Sequence, residues 1–286
     1  MGDTCLRWGS LTALACSAAM LALVVGYIVF ESRVPPSVDT TMAGFLWKDA
    51  WDPSGNPPLL GIGHAWLATF LVVSGATLIA TPLALAIGVF LSEIASVPIR
   101  AVAEPALQLL AGIPAVVYGF VGYATLVPLL ELWLPTGETL FAAALVLSLM
   151  ILPFIAATAA EALLLAGSDL RFASLSLGAS HWHTLVRVTL HKAAPGILAG
   201  VILGIGRGLG ETLAVLMLSG NSPAFPSGLF GRGQPLTALI ATDLSESAVN
   251  SDRYHALFSA GLLLMLAVIV INIFVAQLKR RFLHVR

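Results

Sequence analysis

The chain is expected to be all-α: a polytopic membrane protein with six transmembrane helices. Two features of composition point there: of 286 residues, 58% are hydrophobic and only 10% are charged, where soluble domains carry about a quarter charged residues. The third is pattern. The apolar residues form long continuous runs rather than the every-second-position alternation of a membrane β-barrel, and mean hydropathy is +0.94. Breakers divide the runs into six spans, at about residues 10–30, 64–92, 105–130, 139–161, 195–220 and 255–278.

The first span is too long for a secretion signal, and no small-residue cleavage site precedes Glu31-Ser-Arg-Val-Pro-Pro36, so a retained helix is expected. Cys5 and Cys16 offer neither a disulfide framework nor a metal site and are read as buried small residues. An outer loop, 31–62, carries Trp47, Trp51 and several prolines, a composition suited to lying along the membrane interface. The core, 63–278, holds the other five spans. In the third, Pro114 should bend or open the helix, and Tyr118 either lines a path or packs at the kink. The segment 162–194 lies between the fourth and fifth spans. Within the outer segment 220–254, apolar residues over 236–246 recur at helical spacing, which fits a short surface or re-entrant helix. A basic tail, 279–286, contains Lys279-Arg-Arg281, an anchor for the inner headgroups.

An even number of spans puts both termini on one side. With that side cytoplasmic, nine basic residues (Arg7, Arg100, Arg171, Arg187, Lys192, Lys279, Arg280, Arg281, Arg286) lie inside and four (Arg33, Lys48, Arg232, Arg253) outside, as the positive-inside rule requires. The remaining basic residue is Arg207. A fifth span over 195–220 has its midpoint near 207 and, at about 1.5 Å per residue, crosses a core of roughly 30 Å. A charge at that depth costs about 3 to more than 10 kcal/mol on an isolated helix, so it calls for a partner, water or an anion.

Glu211 follows four positions later and on a continuous helix would share a face with Arg207. A self-neutralising pair that fixes packing is one reading, supported by the small-residue ridge Gly200, Gly204, Gly208. Burying such a pair is often costlier than apolar replacements, which favours a functional reading. A guanidinium offers a planar fork for two oxygens of a tetrahedral oxyanion and stays charged. Glu211 would then accept a hydrogen bond from an oxyanion that still carries a proton at neutral pH, as phosphate does and sulfate does not. Thr212 lines the same cavity or bonds back to its own helix.

The segment 162–194 is patterned rather than a flexible linker. Ser168 or Asp169 can start a helix, and Leu170, Ala173, Ser174 and Leu177 follow at helical spacing. Gly178 turns the chain, and a second helix begins around Ser180. Two short helices joined at a glycine form a ridge suited to a groove on another protein, or an interfacial hairpin without one. The pair His181 and His183 has metal-like spacing, but no cysteine or carboxylate cluster accompanies it.

Phe172-Ala173-Ser174, Gly178-Ala179 and Val188-Thr-Leu190-His191 together resemble the EAA loop of ABC-importer permeases. That resemblance implies a coupling helix that inserts into an ATPase subunit, involving Ala173, Ser174, Gly178 and Ala179. Phe172 stands where the pattern has glutamate and His191 where it has proline, so only the helix–turn–helix shape and Gly178 carry over. Leu110-Ala-Gly-Ile-Pro-Ala-Val-Val-Tyr-Gly119, Met150-Ile-Leu-Pro153, Gly206-Arg-Gly-Leu-Gly-Glu-Thr212 and Gly220-Asn-Ser-Pro223 resemble the phosphate-importer permeases, the PstC type more than the PstA type. The resemblance implies a type I ABC importer permease. Its partners would be a PstA-like second permease subunit, two PstB-like ATPase subunits, an extracytoplasmic phosphate-binding protein and the lipid bilayer. No nucleic acid is expected.

A Walker-type phosphate loop needs Gly-Lys-Ser/Thr, and none of Lys48, Lys192 and Lys279 follows a glycine. No cofactor is therefore expected in this chain, ATP being bound by a partner subunit, and no nucleophile–base arrangement suggests an enzyme. A permease for another oxyanion, an ion-coupled secondary transporter using Arg207 and Glu211, and a non-transporting scaffold are the alternatives.

Overall fold

The computed structural model describes residues 2–33, 42–48, 51–166 and 168–283. Its helices are, in order, α1 (Gly2–Glu31), α2 (Met42–Trp47), α3 (Gly63–Val89), α4 (Val97–Gly112), α5 (Ala115–Val121), α6 (Val127–Glu131), α7 (Leu140–Leu165), α8 (Ser168–Ser176), α9 (His181–His183), α10 (Leu190–Leu209), α11 (Leu213–Leu218), α12 (Leu236–Asp243) and α13 (Asp252–Leu283). Single π-helical turns extend α3 (Phe90–Ile94), join α5 to α6 (Gly122–Leu126) and join α9 to α10 (Thr184–Thr189). The two-residue strands β1 (Trp51–Asp52) and β2 (Leu59–Leu60) pair antiparallel, a small feature that helical periodicity did not announce.

Among the described residues, five helices are long and apolar enough to cross a membrane, and the pair α4 with α5–α6 supplies a sixth if counted as one broken span. α7 is the axis of the bundle. It is buried along most of its apolar length, and Thr139 caps it by accepting a hydrogen bond from the Ala142 N–H at 3.2 Å. α3 and α10 pack on it through small residues. A Cβ on Gly204 would come within 2.9 Å of Ile155, and one on Gly200 within 2.9 Å of Thr158. The glycine ridge read from the sequence thus faces α7 and permits close backbone approach.

Several expected boundaries move. The third span starts at Val97 rather than Pro105, and at Pro114 it opens, as its proline suggests: α4 ends at Gly112, and α5 starts after Pro114 at 88° to it. Proline has no N–H to continue the ladder and holds the preceding residue extended, as Ile113 is at ψ 129°. The fifth span does not begin at Pro195. It runs His181–Leu209 without interruption, with Pro195 inside α10, so the second helix of the expected hairpin is the first part of that span. Nor does it run on to 220, because Gly210, Glu211 and Thr212 break it before α11.

Cys16 is exposed rather than buried, because α1 lies at the edge of the bundle against α13; the side chain of Cys5, like those of the basic tail 279–286, lies outside the described residues. At the C-terminal end of α1, the hydroxyls of Tyr27 and Tyr254 share a hydrogen bond of 2.8 Å. His255 Nδ1 lies 2.9 Å from the Glu31 carbonyl oxygen.

The segments before α3 and around α12 form a second, smaller core around Phe45, Leu60, Ile62, Leu236, Leu239 and Leu257. α12 is therefore tucked in by its first turn rather than laid on the surface. Asp243 ties these parts together, accepting from Trp51 Nε1 at 2.6 Å and pairing with Arg253 at 2.9 Å.

Candidate functional site: a charged cavity beside a broken helix

Arg207 lies in the last turn of α10, where the Gly210 N–H closes on its carbonyl oxygen. A helix C-terminus is the favourable end for a cation, since unpaired carbonyls gather there. Glycines at 206, 208 and 210 weaken helix continuation, and Gly210 caps the helix. The charge therefore sits at an interruption of a long apolar helix, not mid-helix.

The Arg207 side chain is exposed within the chain and reaches a cavity of about 530 Å³. The cavity lies between α4, α7 and α10 and includes Glu104, Gln108, Phe154, Thr158, Glu161 and Arg207 in its lining. It extends to Leu164, next to the end of α7 that leads into α8, and so joins the helix break to the hairpin side of the bundle. The Arg207 guanidinium carbon stands 4.6 Å from the centroid of the Phe154 ring. Stacking occupies one face of the guanidinium and leaves its N–H edge free for an oxyanion. Among the described residues, Arg207 makes neither a hydrogen bond nor an ion pair within the chain.

The other expected site residues are placed differently. Glu211 forms no ion pair with Arg207, because the helix that would bring them to one face ends between them. Its carboxylate is not in the cavity lining, and its backbone carbonyl accepts from the Thr237 hydroxyl at 2.9 Å. Thr212 leads into α11 with its hydroxyl 3.5 Å from the Gly210 carbonyl. The Tyr118 hydroxyl donates to the Leu110 carbonyl at 2.9 Å, across the α4–α5 bend. Neither side chain is in the cavity lining.

In Gly220-Asn-Ser-Pro223 the chain turns out of α11: Gly220 and Asn221 have φ of 75° and 45°, and Asn221 Nδ2 donates to the Leu216 carbonyl at 2.7 Å. Cavity residues Phe154, Gln108, Glu104 and Glu161 escaped sequence reasoning. The Met150-Ile-Leu-Pro153 motif was the nearest signal, and Pro153 does line the cavity.

The hairpin has the expected form. α8 ends in a turn at Gly178, whose φ is +83°, and Ser180 then caps α9 by accepting from the His183 N–H at 3.2 Å. Ser174 and Thr184 join the two arms through a 2.9 Å hydroxyl–hydroxyl hydrogen bond. Phe172, Leu177 and Trp182 are 65%, 89% and 71% exposed, so the ridge presents an apolar tip. Arg171 forms an ion pair with Glu93 of the π-helical turn after α3.

A hydrophobic helical bundle with a charged cavity suits a transport membrane subunit, and sequence comparison specifies it. The family of binding-protein-dependent transport system inner membrane components matches residues 80–284, and the chain belongs to that family. It is 33% identical to the probable ABC transporter permease protein YqgH of Bacillus subtilis, over 96% of this chain and 90% of that one. It is 31% identical to the phosphate transport system permease protein PstC of Pasteurella multocida, over 88% and 83%.

Among solved structures, a bacterial alginate ABC transporter in complex with alginate pentasaccharide-bound periplasmic protein superposes with a TM-score of 0.61 at 16% identity, covering 95% of this chain and 94% of that one. The inward-facing MetNI methionine ABC transporter gives 0.55 at 21% identity, covering 78% and 94%. The fold is that of type I ABC transporter permeases. The chain is a multi-pass inner-membrane transport component and not itself a catalyst.

Proposed function

We propose that this chain is a permease subunit of an ATP-driven phosphate importer and that Arg207 holds the anion during passage. One observation carries the reading: a guanidinium with no ion-pair partner among the described residues projects into a cavity at the break of a membrane helix. An unneutralised cation in that position is costly unless a ligand or water meets it, and a planar fork with a free edge suits a tetrahedral oxyanion. Relatives named as PstC in several bacteria, at about 31% identity, support phosphate as that oxyanion.

The assembly follows from the same reading. A second, PstA-like permease subunit closes the cavity's open side; the chain is also 32% identical to PstA 1 of Mycobacterium tuberculosis over 77% of its length. Two PstB-like ATPase subunits bind ATP and receive the hairpin tips, the exposed turn around Ala173, Ser174, Gly178 and Ala179 with its apolar rim. A phosphate-binding protein delivers substrate to the outer face, and both termini are cytoplasmic. ATP-driven closure of the ATPase pair opens the bundle outward, and separation opens the Arg207 cavity inward.

The test is phosphate uptake into proteoliposomes holding the complex, its binding protein and internal ATP. Arg207→Ala should reduce uptake by roughly a hundredfold, the loss of one charge-assisted bidentate contact of about 3 kcal/mol. Arg207→Lys should recover part of it, and Glu211→Gln should transport better than Arg207→Ala, since that carboxylate lies off the cavity. Full uptake by Arg207→Ala would remove the anion from this site.

A further inference from the structure

Hairpin tip and cavity are separate places in the fold, and a chain of charged contacts runs between them. It begins at Arg171 on α8, which pairs with Glu93. The side chains are only 30% and 14% exposed, while the next residue along α8, Phe172, is 65% exposed. One residue thus faces the bundle and its neighbour faces outward.

Glu93 belongs to the π-helical turn Phe90–Ile94. A π turn widens the helix and leaves carbonyls without regular partners. Here Arg100 supplies one, donating through Nη2 to the Ser92 carbonyl at 3.3 Å and to the Leu91 carbonyl. The same guanidinium lies 3.9 Å from Glu104. Leu91 and Glu104 both line the cavity that holds Arg207. From α8 to the cavity wall the path is therefore Arg171, Glu93, the π turn, Arg100 and Glu104.

We propose that Arg171 and Glu93 are positioning residues for transport: their ion pair fastens the docking hairpin to the π turn, so that movement of the hairpin shifts the cavity wall. The chemistry suits the task. A partly shielded ion pair resists separation more than a solvent-exposed one. The π turn can change register at lower cost than a regular helix, because its hydrogen bonds are already irregular. Arg100 follows the turn and carries Glu104 with it, altering the charge around an anion held at Arg207. The proposal rests on the reading of α8 as the ATPase-docking element and of the cavity as the phosphate site.

The test uses the assembled transporter in proteoliposomes with its binding protein and inorganic phosphate. Four forms are compared: wild type, Arg171→Ala, Glu93→Gln, and the reciprocal exchange Arg171→Glu with Glu93→Arg. Expected for both single variants is wild-type co-purification of the ATPase and wild-type basal hydrolysis. Phosphate-dependent stimulation and uptake should fall by about fivefold or more, the lower bound of ordinary site-to-site coupling. The exchange should restore at least half of the stimulation. Unchanged stimulation in the single variants overturns the proposal. So does an exchange no better than either single variant, since packing rather than charge would then be at stake. Failure of the wild-type chain to co-purify with an ATPase, or full uptake by Arg207→Ala, strikes the underlying reading instead and leaves a different signature.

Discussion

Arg207 shows how one side chain is made ready by its neighbours. The end of α10 supplies carbonyl dipoles, Phe154 supplies a ring at 4.6 Å, and the break after Leu209 keeps Glu211 from neutralising it. A cation stacked on a ring at a partly exposed site is held by about 0.5–1 kcal/mol. Phe154→Leu should therefore raise the phosphate concentration for half-maximal uptake about two- to fivefold with little change in maximal rate, and Phe154→Tyr should stay near wild type. Equal loss in both variants would assign Phe154 to packing alone. Sequence reasoning found the arginine because a charge in an apolar run is conspicuous. It missed Phe154, because one phenylalanine among 13 carries no mark of the cation it meets through space.

At the scale of elements, two glycines test two different demands. A Cβ on Gly204 would meet Ile155 at 2.9 Å in the α7–α10 contact. Gly204→Val should lower the melting temperature of the detergent-purified protein, overpacking of this kind costing about 1–3 kcal/mol. Gly178 is the opposite case: nothing lies within 4 Å of a Cβ there, but φ is +83°. Gly178→Ala should cost about 1 kcal/mol of hairpin geometry without steric clash, and Gly178→Pro should abolish the turn and with it ATPase co-purification. Wild-type co-purification of the proline variant would place docking elsewhere.

Helix existence was legible in the apolar runs, and the hairpin in its glycine and caps. The continuity of α9 with α10 was not, because Pro195 looks like a start signal and only packing against α7 carries the helix through it. The 88° turn at Pro114 exceeds what a proline alone imposes, and its strap from Tyr118 to Leu110 is a contact that spacing suggests only in hindsight.

For the whole molecule, the sequence conveyed the number of membrane-crossing segments and their class, since both follow from hydrophobic length. It did not convey which segments are central. α7 is buried and α1 wholly peripheral, although both read as uniform apolar runs, because burial depends on neighbours that composition does not name. The family match, too, begins at residue 80, beyond α1. N-Ethylmaleimide should modify Cys16 in the detergent-solubilised Cys5→Ser chain, and the labelled protein should regain normal uptake after reconstitution; lost uptake would show that α1 takes part in the working bundle.

Tyr27–Tyr254 and His255–Glu31 clasp α1 to α13 near one end, which makes the first helix resemble a pendant hung from a single hook. A fluorophore or affinity handle introduced along the rest of α1 is therefore expected to leave the uptake of the reconstituted transporter unchanged.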